Sequence, residues 1–161
     1  AVEASRPLAD QMDHRIVVDV PAEPIYVQGD PARLAQVLGN LLNNGCKYTE
    51  PGGSITIAAK EEDGEALVTV RDTGCGIAPD KLASIFDMFM QVDRSDERSQ
   101  GGLGIGLTLV KRLVQLHGGS VEAYSAGEGR GSEFIVRLPA VTARPAQASG
   151  AAAAPPSAPL D

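Results

Sequence analysis

The pattern of hydrophobic and polar positions predicts that strands and helices alternate along the chain. Two β-branched runs, at residues 14–20 and 25–28, predict short strands near the beginning. Asp30 and Pro31 combine an N-cap with a proline at the first helical position, so a helix is expected to begin there. The leucines after this cap recur at spacings of one apolar helix face, which comprises Leu34, Leu38, Leu41 and Leu42.

The remaining pattern adds four strands and a second long helix. Strands are predicted at residues 54–60, 66–71, 121–124 and 133–138. Residues 62–64 would join the first two of these as a hairpin. The second helix is predicted over residues 104–117, where Gly118 and Gly119 stop it. The expected fold class is α+β, with a mixed, mostly antiparallel sheet and helices on one face.

Composition divides the chain into three parts. Ala and Pro dominate residues 139–161, so this part lacks the apolar bulk for a core and is predicted to be an extended linker. Residues 1–12 have no obvious partner and are expected to be a connector. The folded body is therefore placed at residues 13–138. Because both ends look cut, the chain is expected to be a fragment of a longer protein.

Charge and cysteine content exclude several classes of function. The 161 residues carry a net charge of −7, whereas sequence-independent binding of nucleic acid needs a basic surface. No run of about 18 apolar residues occurs and the chain does not open on a secretory signal, so no direct membrane contact is expected. Cys46 and Cys75 are too far apart in sequence for a zinc ribbon, and they favour a reducing, cytoplasmic location.

Three polar side chains share a stripe near the end of the first long helix. Asn40, Asn44 and Lys47 are four and three residues apart, which places them opposite the leucine face. Amide oxygens beside a lysine suit a magnesium–phosphate group, because Mg²⁺ takes hard oxygen ligands and only one or two from a protein. The alternative interpretation is a solvated polar helix face.

A second motif, DTGCGI at residues 72–77, directly follows a predicted strand. Asp72 is an acceptor-only carboxylate when ionised, so it suits an exocyclic amine such as that of adenine. Gly74 and Gly76 would let a flat ring approach the backbone. A plain turn that happens to contain an aspartate is the alternative.

The third and fourth motifs are an apolar cluster at residues 85–90 and a glycine-rich stretch at 101–107. The cluster is interpreted as the core side of a short helix, or as a hinge for the polar stretch at 91–100. That polar stretch has the character of a lid that closes over a site. Glycines at the start of a helix expose backbone N–H groups to an anion. The lid that precedes them carries Arg94 and Arg98, which are therefore candidates for contacting the terminal phosphates. A flexible loop that caps a helix is the alternative.

Taken in this order, the four motifs resemble the catalytic ATP-binding domain of sensor histidine kinases. That domain belongs to a wider superfamily with DNA gyrase, mismatch-repair ATPases and heat-shock chaperones. The resemblance covers roughly residues 13–138. It implies a Bergerat-type two-layer α/β sandwich, in which about three helices back a mixed sheet and ATP lies between the helices and a lid.

The resemblance also implies a role for each matching residue. The implied catalytic residues are Asn40, Asn44, Lys47 and Arg98, with Asn44 as the ligand of Mg²⁺. The residues implied to surround the adenine are Tyr48, Asp72, Gly74, Gly76, Ile77 and Ser132. Those implied for the phosphates and the lid hinge are Gly102, Leu103, Gly104, Ile105, Gly106 and Leu107. Asp72 would accept a hydrogen bond from the adenine amine.

Asn40 separates kinase from hydrolase. The resemblance implies that ATPase branches of the superfamily, and some kinase branches, carry a glutamate at this position as a general base, whereas an amide cannot accept a proton at neutral pH. The expected reaction is therefore transfer of the γ-phosphate to a substrate with its own nucleophile, a histidine. Neither His14 nor His117 has the setting of that histidine, so the chain is not expected to phosphorylate itself.

The implied partners lie outside this sequence. They are the parent protein's own histidine-containing dimerisation domain, which would precede residue 1, and a response-regulator receiver domain. The parent would be a homodimer and could be anchored in a membrane. Two alternatives remain open: a pseudo-kinase module that only binds nucleotides or partners, and an ATPase of the same superfamily.

Overall fold

The computed structural model of the protein describes residues 1–87 and 105–141. Within these ranges the chain forms four helices and five strands. In chain order they are α1 (Val2–Gln11), β1 (Arg15–Asp19), α2 (Pro31–Tyr48), β2 (Ser54–Glu62), β3 (Glu65–Asp72), α3 (Pro79–Leu82), α4 (Gly106–Leu116), β4 (Ser120–Tyr124) and β5 (Ser132–Pro139).

The five strands form one sheet in the order β1-β2-β3-β5-β4. β1 pairs with β2 in parallel, and every other pair is antiparallel, which confirms the predicted mixed sheet. Alternate residues of the central strands point towards the helices, and they include Ile55, Ile57, Val70, Phe134 and Val136. These side chains and the apolar faces of α1, α2 and α4 form one core.

Helix α2 begins where its sequence predicts, after an aspartate N-cap. The Asp30 side chain accepts hydrogen bonds from the backbone N–H groups of Ala32 and Arg33, and Pro31 occupies the first turn. Leu41 and Leu42 of the predicted leucine face are almost completely buried. The predicted N-cap and helix face are thus confirmed.

Two turns also follow their sequence signals. Asp63 and Gly64 alone join β2 to β3, and both have positive φ, as a tight hairpin turn requires. Gly118, two residues after the last residue of α4, has a φ of 74°. The N–H of Gly119 donates to the carbonyl of Val114, and that of Gly118 to Gln115, so the two glycines form a Schellman cap.

The first twelve residues have a partner that their sequence did not indicate. Residues 2–11 form α1, which packs on α2 with Ser5 and Ala9 buried. The Ser5 hydroxyl donates to the side-chain oxygen of Asn43, at 3.2 Å. Val2, Leu8 and Met12 pack against the core as well, so the partner that the sequence did not make obvious is this core, and the role of residues 1–12 as a connector stays a prediction.

The predicted strand at residues 25–28 was also wrong. Val27 makes a single bridge to Ala140, and the N–H of Val141 donates to the carbonyl of Tyr26. Pro21 and Pro24 lack the N–H groups that a longer ladder would use. Residues 140 and 141 thus continue the ordered chain past the expected end of the body at 138.

Candidate functional site

The site is centred on Asp72, the last residue of β3. Its side chain is buried, with 6% of the residue exposed. Oδ1 accepts from the backbone N–H of Gly74 at 2.8 Å and from that of Ser132 at 3.2 Å. Oδ2 accepts from the Ser132 hydroxyl at 2.5 Å. Three donors thus hold the carboxylate in one orientation, and each carboxylate oxygen has the lone pairs to accept more than one of them.

The loop after Asp72 lies against the end of α2. The N–H of Cys75 donates to the carbonyl of Tyr48 at 2.9 Å. A Cβ at Gly74 would collide with that same Tyr48 carbonyl, so only glycine fits this approach. Gly76 has φ of 70°, and Ile77 is buried. The two glycines thus let the carbonyls of Tyr48 and Gly127 come close to this loop, and the approach of a flat ring stays a prediction.

The opposite wall of this loop is the turn between β4 and β5, for which the sequence predicts only a glycine-rich turn. The Ser125 hydroxyl accepts from the N–H of Ile77 at 3.0 Å and lies 2.7 Å from the carbonyl of Gly131, to which it donates. A Cβ at Gly131, where φ is 70°, would collide with the carbonyl of Asp72. Sequence reasoning missed Ser125, whose hydroxyl joins the loop after Asp72 to the turn before β5. The nearby glycines were its only sequence signal.

The end of α2 brings the predicted amide stripe to the same place. Asn40, Asn44, Lys47 and Tyr48 are all half-buried. A Cβ on Gly45 would lie 3.8 Å from that of Asp72, so the last turns of α2 pass directly beside the carboxylate. The Lys47 ammonium lies 5.2 Å from the centre of the Tyr48 ring, close enough for a cation–π contact. Asn44, which precedes Gly45 in the same turn, keeps its predicted role as a prediction.

The start of α4 is connected to the site through two phenylalanines. The Thr108 hydroxyl donates to the carbonyl of Phe86 at 3.0 Å. The ring of Phe86 meets that of Phe134 edge to face at 6.3 Å, and Phe134 is two residues after Ser132. This chain of contacts runs from the first turn of α4 to the carboxylate of Asp72.

The predicted phosphate-binding stretch is described only in its last three residues. Ile105 is exposed, and Gly106 and Leu107 are half-buried at the start of α4. Predicted residues that lie outside the described part of the chain are Arg94, Arg98, Gly102, Leu103 and Gly104, with residues 88–90 of the apolar cluster.

One residue on the part of α2 that passes the site has a shifted pKa. Burial raises the pKa of the Cys46 thiol, which lies in the core on α2. In residues 1–87 and 105–141, no group of three or more His, Cys, Asp and Glu side chains could hold a metal ion. In the same ranges no helix is both long and apolar enough to cross a lipid bilayer.

Known proteins resemble this chain in sequence. Residues 29–142 match the family of histidine kinase-, DNA gyrase B-, and HSP90-like ATPases. A stretch of 110 residues, 68% of this chain, is 42% identical to the sensor protein SrrB of Staphylococcus aureus. That stretch makes up 19% of the length of SrrB, so the chain spans about a fifth of this relative.

Solved structures share the fold as well. The mycobacterial sensor histidine kinase MprB superposes with a TM-score of 0.73 at 28% identity, over 86% of this chain and 91% of that one. Full-length ShkA, in complex with AMPPNP, superposes with a TM-score of 0.76 at 35% identity, over 88% of this chain and 28% of that one. The chain therefore belongs to the histidine kinase-, DNA gyrase B- and HSP90-like ATPase family, as an ATP-binding domain of the sensor histidine kinase type.

Proposed function

We propose that this domain binds Mg·ATP beside Asp72 and donates the γ-phosphate to a histidine on a separate dimerisation domain. The observation that carries the proposal is the buried carboxylate of Asp72, which three donors hold in place beside the last turns of α2. ShkA, which shares the fold, was solved with AMPPNP. A rigid acceptor costs little entropy when a ligand arrives, so it suits recognition of a base.

Adenine fits the Asp72 end of the site. An ionised carboxylate can only accept, and the exocyclic amine of adenine donates. Gly74 and Gly76 let the carbonyls of Tyr48 and Gly127 pack closely against the loop beside Asp72, while Ile77 would supply an apolar surface. The half-buried ring of Tyr48 would pack against the base. Ser132 is bonded to both oxygens of Asp72, so in this proposal it orients the carboxylate.

The magnesium and phosphate end of the site would be formed by α2 and by the start of α4. Asn44 offers one hard amide oxygen, which fits Mg²⁺ because this ion keeps several waters and takes few protein ligands. Asn40 would support Asn44 one turn earlier on the same stripe. Lys47 would meet the phosphates, together with the lid glycines and Arg98. Bound Mg²⁺ would neutralise phosphate charge, which is the chemistry it supplies.

Transfer to a separate histidine is supported by the state of the two histidines here. His14 is buried, and its Nε2 donates to the carbonyl of Thr49. Both ring nitrogens of His117 are engaged, one with the carbonyl of Leu113 and the other with the N–H of Asp30. Nδ1 of His14 is buried inside the fold and both nitrogens of His117 are hydrogen-bonded, so neither ring presents a nitrogen for attack on phosphorus.

The chain's own contribution to phosphoryl transfer is then positioning. Asn40 cannot remove a proton from water, so the site offers no general base for hydrolysis at that position. Placing the γ-phosphate in line with an incoming imidazole, and neutralising its charge, is what this reaction needs most. The proposed partners are accordingly the parent's dimerisation domain and a receiver domain, in a homodimeric parent whose kinase domain works in the cytoplasm.

The proposal is tested with γ-labelled ATP. The domain alone should not label itself, whereas mixing it with the dimerisation domain of its parent should label that domain on histidine. Asn44→Ala should reduce the labelling at least about 100-fold, because it removes the proposed metal ligand. Gln36→Ala removes an exposed amide from the same helix and serves as the control, with labelling like wild type.

Two results would contradict the proposal. If Asn44→Ala labels the partner as well as Gln36→Ala does, the magnesium site is elsewhere. If the isolated domain turns over ATP steadily and labels nothing, it is an ATPase of the same superfamily.

A further inference from the structure

The segment that leads into β1 is fastened to the segment that leaves α2. The N–H of Gly52 donates to the carbonyl of Asp13 at 2.8 Å, and the N–H of Arg15 donates to the carbonyl of Gly53 at 3.0 Å. Between these two backbone bonds lies His14, whose own N–H bonds back to the carbonyl of Ala9. The turn that follows α1 therefore rests directly on the turn that follows α2.

The His14 ring adds two contacts at the point where α2 stops. The ring belongs to a residue that is 7% exposed, and its Nε2 lies 2.9 Å from the carbonyl oxygen of Thr49 and 3.2 Å from that of Glu50. Since a carbonyl can only accept, Nε2 carries the proton and donates to both. In the described part of the chain Nδ1 makes no hydrogen bond, so the polar contacts of the ring all go to this turn.

Three consecutive carbonyls at the end of α2, those of Tyr48, Thr49 and Glu50, thus accept hydrogen bonds from two other segments of the chain. Tyr48 gives its carbonyl to the N–H of Cys75 in the loop that follows Asp72. The next two carbonyls, of Thr49 and Glu50, accept from Nε2 of His14, and that of Glu50 also accepts from the N–H of Gly53 at 3.0 Å. The Thr49 peptide directly follows the Tyr48 peptide, so a fixed Thr49 carbonyl limits the directions that the Tyr48 carbonyl can take, since only φ and ψ of Thr49 lie between the two planes.

We propose that His14 is a positioning residue for the adenine half of the nucleotide site. Its Nε2–H holds the turn after α2 so that the Tyr48 carbonyl keeps the Asp72 loop in its binding conformation. The inference rests on the proposed function, and it goes further, since it makes the segment that enters the domain a determinant of nucleotide affinity. His14 touches neither base nor phosphate and acts through Tyr48 and Cys75.

The test compares two amide side chains of different reach. In His14→Gln the amide nitrogen can occupy the place of Nε2, whereas in His14→Asn it is too short to do so. Affinities for AMP, Mg·ADP and Mg·ATP are measured by calorimetry at 15 °C after circular dichroism has shown that each variant is folded. His14→Asn should weaken all three nucleotides by the same factor of about ten, the size expected from one or two net hydrogen bonds. His14→Gln should stay within about twofold of wild type.

A stability control separates positioning from general destabilisation. Ile16→Val shortens a core-facing side chain of β1, two residues after His14, and has no polar atom that could bond to the carbonyls of the turn. It should lower the melting temperature while leaving the three affinities unchanged.

Several outcomes would overturn the inference. Wild-type affinity in folded His14→Asn would reduce His14 to a structural role. A loss confined to Mg·ATP would show that His14 acts on the phosphate half instead. A wild-type domain that binds no adenine nucleotide would overturn the proposed function itself, and this inference with it.

If His14→Asn does not fold, the wild-type ring is observed directly. Addition of AMP should shift the ¹⁵N signals of the His14 ring, whereas those of His117, whose ring bonds to the α2 N-cap, should stay in place. Unchanged His14 signals at saturating AMP would overturn the inference.

Discussion

The two ends of helix α2 are held by different kinds of contact, apolar at its start and polar at its end. Its first half lies along an apolar cavity of about 390 Å³, lined in part by Pro24, Leu34, Val37, Leu38 and Val68. Its last turns pass beside the buried carboxylate of Asp72, where the contacts are hydrogen bonds between fixed donors and acceptors.

The two kinds of contact tolerate different amounts of irregularity. Apolar contacts have no direction, so residues 20–27 can line the cavity with a single β-bridge between them and the sheet. Hydrogen bonds weaken steeply when their angle changes, so the polar end needs each backbone turn in place. Substitutions at the polar end should therefore disturb ligand binding, and those at the apolar end should disturb stability alone.

The largest effect is expected at Gly131. Gly131→Ala would force a Cβ into the carbonyl of Asp72 at a positive φ, and should destabilise the fold by about 3 kcal/mol or more and abolish nucleotide binding. Gly129→Ala is the matched control, since φ is 73° there but the added Cβ meets nothing within 4 Å. It should cost only the backbone strain, about 1–2 kcal/mol. Equal losses in melting temperature would show that the contact with Asp72 does not matter.

The next effect concerns Asp72 itself. Asp72→Asn should weaken adenine nucleotides about 100-fold, because a charged acceptor is lost, while magnesium pyrophosphate should bind as before. Asp80→Asn removes an exposed carboxylate and is the control for net charge. Calorimetry with both ligands measures the two affinities. Losses of equal size for nucleotide and pyrophosphate would mean that the base is not placed at Asp72.

The smallest effect on binding is expected at the apolar end. Val37 is 1% exposed, so Val37→Ala should lower the free energy of unfolding by about 2 kcal/mol through the cavity it leaves. Nucleotide affinity should not change. Val18→Ala, at a residue that is 45% exposed, should cost less than about 0.5 kcal/mol. A change in affinity in Val37→Ala would show that the two ends of α2 are coupled, and would contradict their separation into an apolar and a polar end.

Features that depend on a few neighbouring residues could be predicted from the sequence. The Asp30 cap, the turn at Asp63 and Gly64, and the glycines after α4 each satisfy backbone groups within a few positions. The order of the motifs indicated the family in the same way, because residue types and spacings are themselves local information. The roles proposed for Asn44 and Asp72 were predicted on that ground and await the substitutions proposed for each of them.

Features that depend on partners distant in sequence could not be predicted. Burial of Ser5 and Ala9 requires α2, and the single bridge of Val27 requires Ala140. Ser125 has its role only because the turn that carries it meets Ile77, 48 residues away. No hydrophobic period marks a small or polar residue as buried, so these positions carry no signal of their partners in the sequence.

Local sequence was enough to specify which chemical groups the domain carries and where most of its regular elements begin and end, since caps, turns and periodicity act within a few residues. The packing of the whole chain decided that Asp72, the end of α2 and the turn before β5 meet at one place. It also decided that His14 reaches the carbonyls after α2. These contacts depend on how elements that are far apart in the chain pack around one core, and no local sequence pattern specifies that packing.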